Sequence, residues 1–167
     1  LKLHHEAFVR QEGEAVAALA IDLQTDPTAK PVLTLLAEAN GEVLGHVLFT
    51  AVNIVNGKRS DPGRILAPVG VLPSAQGKGI GGRLIRTGLE QLRAPGAGLV
   101  FVLGHPSYYP RFGFEPAGRL GLLAPYPIPE EVADAWMVQE LEPGLLGEVK
   151  GTVQCAEVFS HPEHWRE

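Results

Sequence analysis

Apolar residues recur at three- and four-residue steps over Leu1–Leu23, at Leu3, Ala7, Phe8, Ala15, Ala18, Leu19 and Leu23. That period predicts helix, with Gly13 as a dividing point between two short ones. A connector over Asp26–Pro31 leads to a strand over Val32–Ala39. Asn40-Gly41, a strong tight-turn signal, joins it to a longer strand over Glu42–Val55 that ends at a second Asn-Gly, Asn56-Gly57. The polar stretch Lys58–Gly63 reads as a loop, and Arg64–Leu72 as a third strand. The front half is thus a helical segment followed by an antiparallel meander.

A helical pattern follows the glycine-rich run Gln76–Gly82 and continues to about Arg93. Its buried stripe is Ile80, Leu84, Ile85, Leu89 and Leu92, with Arg83, Arg86, Glu90 and Arg93 facing water and Pro95-Gly96 as the stop. Leu99–Leu103 is a short continuous apolar run, expected to be a central strand parallel to the one before the helix. The two strands and the helix form a right-handed crossover. Pro106–Phe112 reads as a short helix or turn, and Gly118–Glu131 as a Pro/Gly-rich loop with Tyr126 at its tip. Ala135–Leu141 reads as a strand, Pro143–Gly147 as a turn and Gly151–Phe159 as a final strand before a polar tail. The sum is a single α/β (α+β) domain over residues 1–167, built on a mixed sheet.

Bulk properties narrow the possibilities. A chain of 167 residues, 45% hydrophobic and 20% charged, suits a soluble domain with a real core. The formal net charge of −5 argues against a nucleic-acid partner and is compatible with a cationic substrate. One cysteine, Cys155, builds neither a disulfide framework nor a metal site, which fits a reducing, cytoplasmic setting. No signal-peptide pattern and no apolar run of membrane-spanning length is present, so no membrane partner is expected.

The chemistry concentrates in V-G-V-L-P-S-A-Q-G-K-G-I-G-G, residues Val69–Gly82. A helix entered through glycines presents unpaired backbone N–H groups and the positive end of its dipole, an anion site suited to phosphate. Gly77, Gly79 and Gly82 match a dinucleotide fingerprint by spacing. However, Pro73–Gln76 separate strand from turn, and the next strand ends Leu103-Gly104-His105 with no acid to hold a ribose. The phosphate-loop pattern fails too, because Lys78 is followed by Gly79 rather than Ser or Thr.

Gln76, Gly79 and Gly81, preceded by Val69, Val71 and Pro73, spell V-x-V-x-P-x-x-Q-x-x-G-x-G. This resembles the pyrophosphate motif of the GNAT superfamily of N-acetyltransferases. Downstream, Tyr109 stands four residues before Gly113-Phe114, as in that family. Gly104, Pro106, Tyr108, Tyr109, Arg111, Phe112, Gly113 and Phe114 match a bacterial subtype with G-x-P-x-Y-Y-x-R-F-G-F. The order of elements agrees over nearly the whole chain. Two departures stand out: the family's first strand is expected upstream of Leu1, and Arg64–Leu72 carries no acid where the family often places a general base.

The resemblance implies a GNAT-type fold, acetyl-CoA as cosubstrate without a metal, and acetyl transfer to a primary amine of a small molecule or peptide. That transfer proceeds by direct attack in a ternary complex. It implies that Val69, Gly70 and Val71 address the pantetheine arm, and that the N–H of Val69 or Val71 polarises the thioester. Gln76, Gly77, Lys78, Gly79, Ile80, Gly81 and Gly82 hold the pyrophosphate, and Arg83 faces phosphate or water. Tyr109 is the general acid. The base is open among an ordered water, His105, Glu38 and Glu42. Phe49, Tyr126 and Trp136 are candidate pocket walls or packing residues, and a homodimer is implied by analogy alone. A non-catalytic CoA-binding sensor and a dinucleotide-binding protein are the competing readings.

Overall fold

Asn40 and Gly41 both take left-handed backbone angles, φ 54° and 76°. They turn strand β1 (Leu33–Ala39) into strand β2 (Glu42–Asn56). The computed structural model describes residues 22–57, 59–93 and 98–159. The predicted first helix lies outside these, apart from a helical turn over 22–25, and so do Pro95-Gly96 and the tail.

Strand β3 (Arg59–Val71) starts five residues earlier than its polar sequence suggests. Asn56 already pairs with Arg59 and Ile54 with Asp61, so the expected loop is a tight hairpin. Partner-strand hydrogen bonds decide the matter there, because the end of a sheet tolerates polar side chains. Helix α1 (Ile80–Arg93) crosses from β3 to the parallel strand β4 (Leu99–Leu103). The remaining strands are β5 (Glu115–Pro116), β6 (Leu122–Leu123), β7 (Trp136–Glu140) and β8 (Gly151–Gln154). β5 and β6 are too short to carry a readable period. The expected final strand ends at Gln154, and a 3-10 turn takes Glu157–Phe159. Among the described residues the strands form one eight-stranded mixed sheet in the order β5-β7-β4-β3-β2-β8-β6, with β1 also on β2.

Alternation along β2 sorts the core onto two faces. Val47 and Phe49 pack with Leu84, Ile85, Leu89 and Leu92 of α1. Leu48, Val52 and Ile54 pack on the other face with Phe101, Trp136 and Val153. Each such side chain contributes roughly 1.5–3 kcal/mol by leaving water. The ring of Phe49 occupies the space a methyl group on Gly88 would need, which brings α1 close to the sheet.

Two irregularities in β3 position the glycine-rich turn. Val47 pairs with Val69 but Phe49 pairs with Leu66, so Ala67 and Pro68 form a bulge. A proline is tolerated there because no ladder donor is required. The bulge keeps Leu66 and Val69 on the α1 face. Second, β3 and β4 pair only through Gly63–Leu99, Arg64–Val100 and Ile65–Phe101. Beyond these, β3 runs on with β2 and β4 with β7, so the parallel pair separates towards its C-terminal ends.

Candidate active site

Where β3 leaves β4, a 3-10 turn over Pro73–Ala75 leads into the glycine run. Gln76 reaches back, its Nε2 donating to the Val71 carbonyl at 3.3 Å, and so ties the turn to the end of β3. Gly77 and Gly79 have φ of +79° and +77°, with open space where a side chain would be. They are needed for conformation. Gly81 has room for a methyl group in ordinary contact, and Gly82 is tight only against a movable side chain. A methyl group on Gly81 would lie 3.8 Å from the Tyr108 hydroxyl, and one on Gly82 would lie 3.3 Å from Nη1 of Arg86. The first helical hydrogen bond here runs from Arg83 N–H to Gly79 C=O at 3.1 Å. The N–H groups ahead of it at the helix start have no intrahelical acceptor.

These groups surround a cleft of about 390 Å³ lined by Val71, Ala75, Gln76, Gly77, Gly79, Ile80, Gly81, Gly82 and Tyr108. Most of the cofactor residues expected from the sequence therefore come together. Lys78 is exposed outside the lining, Val69 lies half-buried on the α1 face of the adjoining strand, and Gly70 is buried between Val69 and Val71.

The tyrosine segment forms the opposite wall. Tyr109–Phe112 is a 3-10 turn ended by Gly113 at φ 99°. Gln139 of β7, buried, donates to the Phe112 carbonyl at 2.9 Å and fixes the segment to the sheet. Tyr108 faces the cleft. Tyr109 is buried against Phe114, 5.9 Å between ring centroids, and its ring lies on Gly104 just past the end of β4. A side chain at position 104 would overlap that ring.

The candidate bases are spread out. His105 is exposed on the turn after β4, and its carbonyl accepts the N–H groups of Tyr108 and Tyr109 at 3.0 and 3.3 Å. Glu38 and Glu42 are exposed at the β1–β2 hairpin; Glu38 lines a separate groove with Leu36 and Arg83. Because β3 begins at Arg59, the strand does carry an acid, Asp61. It lies eight residues before Val69, roughly 25 Å along an extended strand and away from the separation. Arg64, half-buried, donates from Nη1 to the Gly63 carbonyl, and burial lowers its pKa.

One residue passed over in the sequence is His46. It is fully buried in β2 and registered opposite Gly70. A histidine in the apolar run Gly45–Phe49 is the signal that marks it. Phe49 is core packing beneath α1, whereas Tyr126 and Trp136 border an apolar cavity of about 350 Å³ with Leu122 and Ile128. Among the described residues no cluster of three or more His, Cys, Asp or Glu could hold a metal, and no helix is long and apolar enough to cross a membrane.

Comparison with known proteins agrees with this architecture. The family model described as an acetyltransferase (GNAT) domain matches residues 1–117. The uncharacterized N-acetyltransferase YjhQ of Escherichia coli K12 is 50% identical over 144 residues, covering 84% of this chain and 78% of the relative. A crystal structure of the GNAT family N-acetyltransferase YhbS from Escherichia coli in complex with CoA superposes with a TM-score of 0.83 at 31% identity, covering 94% of this chain and 84% of that one. A GNAT family acetyltransferase from Brucella melitensis in complex with acetyl-CoA gives 0.71 at 32% identity, covering 95% and 88%.

Proposed function

This chain belongs to the GNAT family of acetyltransferases, and from that premise we propose that it moves the acetyl group of acetyl-CoA to a primary amine of a small molecule or peptide by direct attack in a ternary complex. The observation that carries the proposal is the glycine-turn cleft at the end of a strand that has parted from its parallel neighbour.

In this reading the pyrophosphate takes its hydrogen bonds from backbone N–H groups between Gly77 and Gly82, helped by the helix dipole. The pantetheine amides lie along the open edge of β3, as an added strand would. The N–H of Val69 or Val71 donates to the thioester carbonyl and stabilises the oxyanion that forms when the amine attacks. The carbon–sulfur bond then breaks and Tyr109 gives its hydroxyl proton to the leaving thiolate. A phenol near pKa 10 and a thiol near 8.5 are close enough for that transfer. The position of the Tyr109 ring on Gly104, where β4 ends, supports the assignment. The amine's proton goes to His105 on the exposed turn or to His46 opposite Gly70. The products are an amide and CoA thiol; the histidine returns its proton to solvent and the phenol is reprotonated from it.

Thiol release from acetyl-CoA, followed with a disulfide dye over a panel of alkyl, aryl, polyamine and peptide amines, tests the reading. Amine-dependent release by the wild type is expected. CoA binding without turnover on any amine would point instead to a non-catalytic CoA sensor.

A further inference from the structure

The apolar cavity beside Trp136 lies on the face of the sheet turned away from α1, the face that His46 shares. Leu122, Leu123, Tyr126, Ile128, Ala133 and Trp136 line it, around a volume of about 350 Å³. It adjoins the end of the sheet where β3 and β4 part. Ile65 and Phe101 are the last pair before the gap. Beyond them, Ala67 of the β3 bulge and Leu103 at the end of β4 flank the gap on this same face, both half-buried. Leu103 is registered with Trp136 of β7. Trp136 stacks on Phe101, with 5.2 Å between centroids and 13° between planes. One strand spacing, about 5 Å, thus separates the β4 wall of the gap from the strand that carries the cavity's indole.

The chemistry of the cavity is one-sided. Among the described residues no charged side chain lines it. Its polar side-chain groups are the Tyr126 hydroxyl and Trp136 Nε1, and the latter already donates to the Leu122 carbonyl at 3.0 Å. A second ammonium or a set of sugar hydroxyls placed there would lose water without gaining partners. An apolar group would gain by leaving water. Leu123, 53% exposed, is one of two large hydrophobic side chains left in water among the described residues, and a ligand in the cavity would cover it.

We propose that this cavity holds the body of the acceptor, so that the protein acetylates primary amines borne on a short arm by an uncharged aryl or branched alkyl group. This acceptor subsite rests on the acetyl-transfer reading of the cleft. The amine stands at the gap, Leu103 carries the apolar surface across β4, and the body packs against Trp136, Ile128 and Leu123.

Thiol release from acetyl-CoA with amines of similar basicity tests it. 2-Phenylethylamine and tryptamine should be used with kcat/KM about tenfold or more above ethanolamine and spermidine. Ala133 and Leu123 are exposed, so substitutions there spare the core. Ala133→Phe fills the cavity and Leu123→Asp sets a charge at its mouth; each should lower the preference about tenfold. Calorimetry with CoA present gives a readout without turnover: 2-phenylethylamine should bind the wild type and lose about tenfold in affinity in both variants. Equal or better use of ethanolamine and spermidine, or a preference that neither variant shifts, overturns the subsite. Variants that alter the choice among acetyl-, propionyl- and hexanoyl-CoA but not among amines also overturn it, by giving the cavity to the acyl chain. Release with no amine at all overturns the acetyl-transfer reading on which the subsite rests.

Discussion

His46 of β2 stands opposite Gly70 of β3, on the sheet face turned away from α1. The glycine turn and α1 occupy the other face beside Val69 and Val71, so in the proposed reaction His46 would take up the amine's proton from the face opposite them. His46→Gln is therefore expected to lower kcat by about 10²–10⁴-fold with the acetyl-CoA dissociation constant little changed, whereas His105→Gln should leave kcat within about threefold. Steady-state thiol release and calorimetry on both variants check this; the reverse pattern would move the base to the exposed turn.

Tyr109 and Gly104 form a second pair. Tyr109→Phe removes the proposed proton donor while keeping the ring, so kcat should fall about 10²-fold or more at unchanged acetyl-CoA affinity. Gly104→Ala keeps the hydroxyl but displaces the ring. It should lose activity too, together with roughly 1–3 kcal/mol of stability from overpacking. Urea unfolding separates the two variants, since Tyr109→Phe should unfold close to the wild-type midpoint.

The glycines divide into those kept for backbone angle and those kept for space. Gly79→Ala should cost about 1–2 kcal/mol through its left-handed angle and weaken CoA by misplacing the amides. Gly88→Ala meets the Phe49 ring under α1, where overpacking costs about 1–3 kcal/mol, and should leave the CoA affinity of the folded fraction unchanged. Calorimetry and denaturant melts on the pair distinguish the two mechanisms.

Burial pushes the Cys155 thiol up to about 12. Native protein at pH 8 should react with a disulfide dye about 10³-fold more slowly than unfolded chain, whose thiol ionises near pH 8.5. Because the folded pKa lies above the unfolded one, this group's contribution to stability is complete below about pH 8.5 and is lost as the pH rises towards 12. Cys155→Ser should flatten that part of the alkaline stability profile.

Elements were readable where period and punctuation agree. The stripe Ile80–Leu92 gave α1, the run Leu99–Leu103 gave β4, and Asn40-Gly41 gave the first hairpin. The start of β3 at Arg59 was not readable, because Ser60-Asp61-Pro62-Gly63 has loop composition and only pairing with β2 makes it strand. For the candidate site, the motif pointed to the glycine turn and the tyrosine segment, which the fold brings to one cleft. It could not show that Tyr108 lines the cleft while Tyr109 sits against Gly104, since adjacent residues differ only through the turn between them. The place of His46 stayed hidden because its proposed role comes from Gly70, 24 positions away in sequence and beside it in the sheet.

The parting of β3 from β4 after Ile65 and Phe101 also bears on solubility. An unpaired strand edge normally invites another chain to add to it. Here the open edge of β3 faces inward, with β4 and β7 on the far side of the gap. An intruding strand would have to enter between two walls already bonded to their own neighbours, whereas a thin extended arm can slide in from the end. The protein can thus keep a hydrogen-bonding edge ready for its cosubstrate without offering it to copies of itself.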